Sequence, residues 1–279
     1  MKKIGFIDYF LDEWHAENYP SWIKEASDGE YVVSYCWGEI DSPKPGGRTN
    51  REWAENHGIE LCSSIEEVIE KSDVICVLAP DNPETHLRLT KLPLMSGKRT
   101  YIDKTFAPDK DTAIKIFETS YLHNTPCFTS SALRFADEYI QAEKSGISGI
   151  TSIGGGNYEN YCIHQIEPIV MLLGSDAKRV KAIGTPGLPS FLIEFEDDDS
   201  AIISCFNPGC PFQMVINYSD GSCRVLDIKS DFFKNFIREL IRFYESGEIV
   251  VPHEQTIAVM AIREACLKAY RLTDQWIQV

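Results

Sequence analysis

The stretch from Asp73 to Ala107 constrains the fold more than any other part of the chain. It opens with Asp73-Val74-Ile75-Cys76-Val77-Leu78-Ala79-Pro80 and closes with Gly97-Lys98-Arg99-Thr100-Tyr101-Ile102-Asp103-Lys104-Thr105. Residues 74–78 are apolar, largely β-branched and too few for a helix, which predicts a fully buried strand. The strand stops at Ala79-Pro80, because proline cannot donate to a ladder. Residues 100–102 form a second such run, ended by Asp103-Lys104. Residues 83–94 have the length of one crossover helix, and Gly97 suits the turn after it. This is a βαβ unit, and its two strands run parallel. Ligands of open α/β sheets bind beyond the carboxyl ends of the strands. Pro80, Asp81, Asn82, Asp103 and Lys104 project from that edge.

Around this unit the first part of the chain alternates strand and helix. Strands are expected at 3–7, 31–36, 60–62 and 127–129. Helices are expected from Pro20 to about 26, at 51–57 with Gly58 as its cap, from a Ser64-to-Glu67 capping box to about 71, and at 109–121. Such alternation predicts a Rossmann-type, doubly wound parallel sheet. After about residue 125 the pattern changes. A helix at 135–143 precedes strands at 150–153, 179–183, 191–195, 201–206, 213–218 and 223–228, separated by Pro186-Gly187, Asp197-Asp198-Asp199, Pro208-Gly209 and Asp220-Gly221. Tight turns between neighbours imply a largely antiparallel sheet. Two closing helices carry Phe233, Phe236, Ile237, Leu240, Ile241 and Tyr244, then Ala258, Ala261, Ala265 and Ala269. The expected organisation is a nucleotide-binding domain over 1–124 and an α+β substrate-binding and oligomerisation domain over 125–279. No helix is in view for one face of the second sheet, so a homodimer or homotetramer is expected.

The charge balance narrows the partners. A net charge of −15 repels nucleic acid and anionic lipid, which excludes both. Nine cysteines form no Cys-x-x-Cys pair, and Cys76 and Cys205 lie inside apolar runs. Reduced, buried thiols in a cytoplasmic protein are the expectation. Cys205, Cys210 and Cys223 fit no zinc spacing and have no histidine nearby, so no metal is expected. No signal peptide and no apolar run of membrane-spanning length is visible.

Two residues carry candidate chemistry. Lys104, at the carboxyl end of the fifth strand, can donate to a hydroxyl or carbonyl. The plain alternative is a solvated surface lysine. His164 lies on a helix marked by Ile163, Ile166, Ile169, Val170 and Leu173, which ends at Gly174. Asn160, His164 and Glu167 fall on one face of it. A histidine oriented by a neighbour can act as general acid or base, and a half-buried histidine bonded to backbone is an equal alternative.

Four stretches together resemble the glucose-fructose oxidoreductase, inositol dehydrogenase and rhizopine-catabolism family, Gfo/Idh/MocA. They are Asp73 to His86, with a histidine six residues after the proline; Gly97 to Ala107, with Asp103-Lys104-Thr105 in the place of Glu-Lys-Pro; Ala132-Leu133-Arg134-Phe135, at the entry to the second domain; and Gly155 to Gly174, in the place of the helix "Gly-Gly … Asp … His-x-Ile-Asp … Leu-Gly". Residues 232–269 also fit in outline. The resemblance implies an NAD(P)-dependent oxidoreductase that passes a hydride between a nicotinamide cofactor and a sugar or polyol-like alcohol. Lys104 then matches the lysine that bonds the substrate hydroxyl and nicotinamide ribose, His164 the catalytic histidine, and Asn160 the aspartate four residues before it. The cofactor would lie along Asp8, Tyr9, Phe10, Trp37, Glu39, Ala79, Pro80, Asn82, Asp103 and Lys104, with Glu39 favouring NAD over NADP. Tyr158, Asn160, Tyr161 and His164 would line the substrate pocket.

The chain departs from that pattern in three places. No glycine occurs between Phe6 and Asp28, where the family has G-x-G-x-x-G, and Asp8, Asp12, Glu13 and Glu17 occur instead. A carboxylate near a diphosphate oxygen costs roughly 1 kcal/mol at 4 Å in water and about 4 kcal/mol at an effective dielectric of 20. Asn160 can orient a histidine but cannot stabilise an imidazolium as an aspartate does. Thr105 follows the lysine where the family has a proline, often cis, a loss that could move the lysine. The alternative function is therefore a catalytically inactive relative that binds a small ligand or partner without dinucleotide. The segment from Asp8 to Glu17 separates the two, since folding over the crevice favours the alternative.

Overall fold

The computed structural model describes all 279 residues. The chain forms two compact units that interleave in sequence. Residues 1–107, 111–130 and 236–252 make the first, and 108–110, 131–235 and 253–279 the second.

In the first unit the chain runs β1 (Lys2–Asp8), α1 (Trp14–Ala26), β2 (Tyr31–Gly38), α2 (Asn50–His57), β3 (Glu60–Leu61), α3 (Ile65–Lys71) and β4 (Val74–Val77). It continues through a 3₁₀ turn (Pro83–Thr85), α4 (His86–Leu89), α5 (Lys91–Met95), β5 (Thr100–Ile102), α6 (Lys110–Leu122) and β6 (Cys127–Phe128). The six strands are all parallel, in the order β3-β2-β1-β4-β5-β6. The order reverses between β1 and β4, the switch point at which doubly wound sheets bind ligands. Strands β4 and β5 are buried on both faces, as their unbroken apolar runs require.

Three sequence expectations change here. The first helix starts at Trp14, six residues before Pro20, and Pro20 lies inside it. Its cap is Glu13, a residue type outside the usual capping set. The crossover between β4 and β5 is one 3₁₀ turn and two short helices, not one helix. Pro93 supplies no N–H to the turn before it, and Thr90 turns its hydroxyl back to His86 O at 2.7 Å. The capping box at Ser64 is incomplete, because Glu67 bonds Ser63 instead; a complete one stands at Thr49 and Glu52.

The second unit holds a 3₁₀ turn (Ala132–Phe135), α7 (Asp137–Ile140), β7 (Ile147–Gly155), α8 (Tyr158–Leu173), β8 (Ala177–Ala182), β9 (Ser190–Phe195), β10 (Ser200–Phe206), β11 (Gln213–Tyr218) and β12 (Cys223–Asp227). After α9 (Phe232–Ser246) come α10 (His253–Arg271) and β13 (Trp276–Gln278). The helix expected over 135–143 is thus only one turn of α7, and β13 was not foreseen. The seven-stranded sheet has the order β12-β11-β7-β10-β9-β8-β13 and is antiparallel except for the β7–β10 pair. α8 and α10 pack against it, burying Ile163, Ile166, Val170, Val259 and Ile262 with Ile150, Ile193, Ile203 and Ile216. The part of α9 from Phe236 onward belongs to the first unit. Phe236 meets Tyr101, Phe243 meets Phe128, and the Tyr244 hydroxyl donates to Ile75 O at 2.9 Å.

No helix is long and apolar enough to cross a membrane.

Candidate functional site

The carboxyl edge of the first sheet gathers most of the residues named for it. Asp103 N donates to Val77 O and Thr105 N to Pro80 O, so the ends of β4 and β5 are stitched together beyond the strands. Buried His86 clips the same two segments, with Nδ1 at Phe106 O and Nε2 at Leu78 O. Ala79 holds φ +67°, a left-handed conformation that costs a non-glycine residue about 1–3 kcal/mol and clusters at functional sites. Lys104 is mostly buried, and its Nζ lies 3.7 Å from Asp81 Oδ1. The Lys104–Thr105 peptide is cis although threonine stands where the resemblance has proline.

Asp8 ends β1, 1% exposed. Its Oδ1 accepts from Tyr9 N at 2.7 Å and Ala79 N at 2.9 Å, while Oδ2 has no hydrogen-bond partner. Burial pushes its carboxyl well above the usual range, and the charge of Glu13 adds to the shift. Asp103 is as deeply buried and accepts from the Tyr101 hydroxyl at 2.8 Å. His15 Nδ1 lies 3.3 Å from both Glu13 Oε2 and Asp103 Oδ2. Three carboxyl groups and an imidazole thus converge at the switch point, and no group of three or more such residues is arranged to hold a metal ion.

The chain between β1 and α1 does not turn straight into the helix. Glu39 N bonds Asp8 O and Ile40 N bonds Tyr9 O, so residues 8–9 keep running beside the end of β2. Leu11 is fully buried, with its N–H on Asn50 Oδ1, and Arg48 pairs with Asp12 and Glu17 at 2.7 and 2.6 Å. Glu39, expected at a ribose, is held in a two-point pair by Arg88, whose guanidinium lies over the Tyr9 ring. Phe10 lies under Lys44. Trp37 and Glu39 line a cavity of about 470 Å³ at the ends of β2 and β3. Asn82 bonds Glu84.

A nicotinamide dinucleotide places its diphosphate on the N–H groups at the start of the helix after β1. In this chain those groups are taken. The Glu13 carboxylate accepts from His15 N at 2.7 Å and from Ala16 N. The side chains that would flank the diphosphate are acidic or bulky. The residues present at the start of α1 do not fit the group.

In the second unit, α8 is capped by Asn157, whose side chain accepts from Asn160 N at 2.9 Å. His164 lies two turns further on, half-buried. Its Nδ1 meets Ser131 Oγ at 2.7 Å, and Ser131 Oγ also accepts from Leu133 N. When the serine hydroxyl donates to Nδ1, the ring proton sits on Nε2. The orienting partner is therefore Ser131 and not Asn160, 33 residues distant where sequence spacing pointed four residues away. On the same helix Glu167 is buried against Arg134 at 3.2 Å, and Arg134 also reaches Gln255. A cavity of about 650 Å³ opens at the ends of β7 and β10 and the start of α8. Tyr158 and Tyr161 line it, together with Asn157, Phe206, Phe212 and Tyr270. His164 is not among the lining residues; its ring lies 5.3 Å from that of Tyr161 and 6.0 Å from that of Phe212. Asn160 is not part of the lining.

No family model matches the sequence, and no curated protein matches it. Solved structures share its fold over nearly the whole chain. A probable dehydrogenase from Thermotoga maritima superposes with a TM-score of 0.79 at 14% identity, covering 99% of this chain and 98% of that one. The scyllo-inositol dehydrogenase from Lactobacillus casei, crystallised with NAD(H) and scyllo-inositol, gives 0.76 at 15% identity with the same coverage. GenD2 from gentamicin A biosynthesis, in complex with NAD, gives 0.76 at 12% identity, covering 100% and 97%. The fold expected from the sequence resemblance is therefore the fold observed.

Proposed function

We propose that this chain binds a sugar- or polyol-like alcohol in the cavity of the second unit and does so without a nicotinamide dinucleotide on α1. The observation that carries the ligand class is the cavity lining. Tyr158, Tyr161, Phe206, Phe212 and Tyr270 give the cavity an aromatic lining suited to the C–H surface of a sugar or cyclitol, and Asn157 offers a side-chain amide to its hydroxyls. His164, whose ring neighbours those of Tyr161 and Phe212, is the candidate for proton exchange, with Ser131 on its Nδ1. The bonding of Glu13 to the first amides of α1 supports the dinucleotide-free part of the reading.

The second reading is an oxidoreductase that passes a hydride between such an alcohol and NAD or NADP. It is favoured by Lys104 at the carboxyl end of β5, by His164, and by fold neighbours crystallised with NAD(H). A homo-oligomer remains part of the proposal in either case, through the sheet face away from α8 and α10.

Calorimetric titration of the full chain with pyranoses and cyclitols, with no cofactor added, tests the ligand class. Saturable binding is expected, weakened about tenfold by Tyr161→Ala, a loss of about 1.4 kcal/mol. Absence of binding across the panel by correctly folded protein refutes it. Turnover seen as NADH absorbance with any panel member moves the second reading to first place.

A further inference from the structure

The N-terminus of α1 carries an anion that belongs to the chain itself. Glu13 has extended backbone angles, φ −133° and ψ 166°, and its carboxylate folds forward onto His15 N and Ala16 N. Those amides, with the positive end of the helix dipole behind them, form the seat that an α/β sheet offers to a diphosphate at its switch point. We propose that Glu13 is a built-in occupant of this seat, an intramolecular carboxylate that keeps dinucleotides and other diphosphates off α1. This inference deepens the dinucleotide-free reading above and rests on it.

Several features separate Glu13 from an ordinary helix cap. Preferred caps are short side chains, and a glutamate must fold back to reach the amides. Caps usually meet solvent, whereas Glu13 is 7% exposed. Its Oε2 is also faced by His15 Nδ1, which in turn faces Asp103. The occupant is thus held by the helix amides, with the His15 imidazole lying between it and Asp103 at the end of β5. Asp8 stands behind it with a buried Oδ2 that has no hydrogen-bond partner. An incoming phosphate would have to displace Glu13 and settle beside Asp8. The approach is narrowed as well. Arg88 ties Glu39 across Tyr9, and Arg48 ties Asp12 and Glu17 to the loop before α2. Arg48 and Arg88 are thus committed to the chain's own carboxylates.

The test is amide NMR on the ¹⁵N-labelled full chain, with inorganic pyrophosphate and NADH as probes. In the unchanged protein the His15 and Ala16 amides are expected to stay put with millimolar probe. In Glu13→Ser, which keeps a good cap and removes the carboxylate, both amides are expected to shift saturably with pyrophosphate, at least about tenfold tighter than in the parent. Glu13→Gln keeps the acceptor and loses the charge; it takes over the test if the serine variant fails to fold, with the same shifts expected at weaker affinity. Saturable shifts of His15 and Ala16 in the unchanged protein overturn the inference. So does a folded variant that ignores both probes, since the exclusion would then lie elsewhere. The sugar titration of the second-unit cavity is read separately, so failure of one test leaves the other intact.

Discussion

Replacing Tyr101 by phenylalanine removes one oxygen from the network behind Glu13. Tyr101 is fully buried in β5, and its hydroxyl donates to Asp103 Oδ1 at 2.8 Å. Burial and the charge of Asp103 push the phenol well above its usual range, so it stays a donor at any working pH. The ring contacts with Phe128 and Phe236, at 5.1 and 5.3 Å, survive the change. The loss is therefore confined to the hydroxyl's hydrogen bonds, the short one to Asp103 and its further contacts with Ser130 O at 3.3 Å and the Tyr19 hydroxyl. A hydrogen bond to a charged group is worth about 1.5–3 kcal/mol. Asp103 has little to replace it, because its Oδ2 makes no hydrogen bond and faces only His15 Nδ1 at 3.3 Å. Urea unfolding followed by tryptophan fluorescence reads the effect, since Trp14, Trp22, Trp37 and Trp53 all lie in the first unit. With a slope of about 3 kcal/mol per molar, the midpoint falls by about 0.5–1 M. A fall under about 0.2 M at unchanged slope would mean that Asp103 does not depend on the phenol, and the chain from Tyr101 through His15 to Glu13 would lose its anchor.

Other predictions follow from the same geometry. Asp8 has a raised carboxyl pKa in the fold, so the stability it contributes is full below its unfolded value of about 3.9 and is lost as pH rises toward the folded value. Asp8→Asn removes that loss; thermal melts should show the variant gaining on the parent at neutral pH and the gain vanishing in acid, and a variant less stable at neutral pH contradicts it. Burial pushes the Cys36, Cys127 and Cys162 thiols up to about 12, so brief alkylation of native protein should label Cys210 and Cys223 and spare the seven buried cysteines, as read by mass spectrometry. Ser131→Ala removes the hydroxyl beside His164 Nδ1, which should move the His164 ring nitrogen resonances while leaving the fold intact; unchanged resonances would falsify the pairing.

The parallel sheet was legible because its strands are short apolar runs with turn chemistry at both ends. Residues 100–102 read as a strand because Gly97 and Asp103 bracket a run too short for a helix, and β5 has those bounds. The start of α1 was misread for a physical reason. Pro20 suggests a first helical position, and Trp14 to Tyr19 is acidic and aromatic with no Ser, Thr, Asp or Asn used as its cap. The cap is a glutamate stabilised by partners far along the chain, which local pattern does not reveal. Lys104 and His164 were visible from their places on strand and helix. Their surroundings were not: Ser131 reaches His164 across 33 residues, and Asp103 reaches His15 across a sheet. The return of residues 236–252 to the first unit is hidden too, because an amphipathic helix shows which face is apolar and not what covers it. β13 has three residues, held by pairing with β8 and by Arg179 over the Trp276 ring, both non-local.

If Glu13 holds the seat at the start of α1, dinucleotides are kept off it. Titration of NADH and NADPH into the unchanged full chain by calorimetry measures it most directly. The account predicts no saturable heat with either at millimolar concentration. A one-site isotherm with micromolar affinity for either dinucleotide contradicts it.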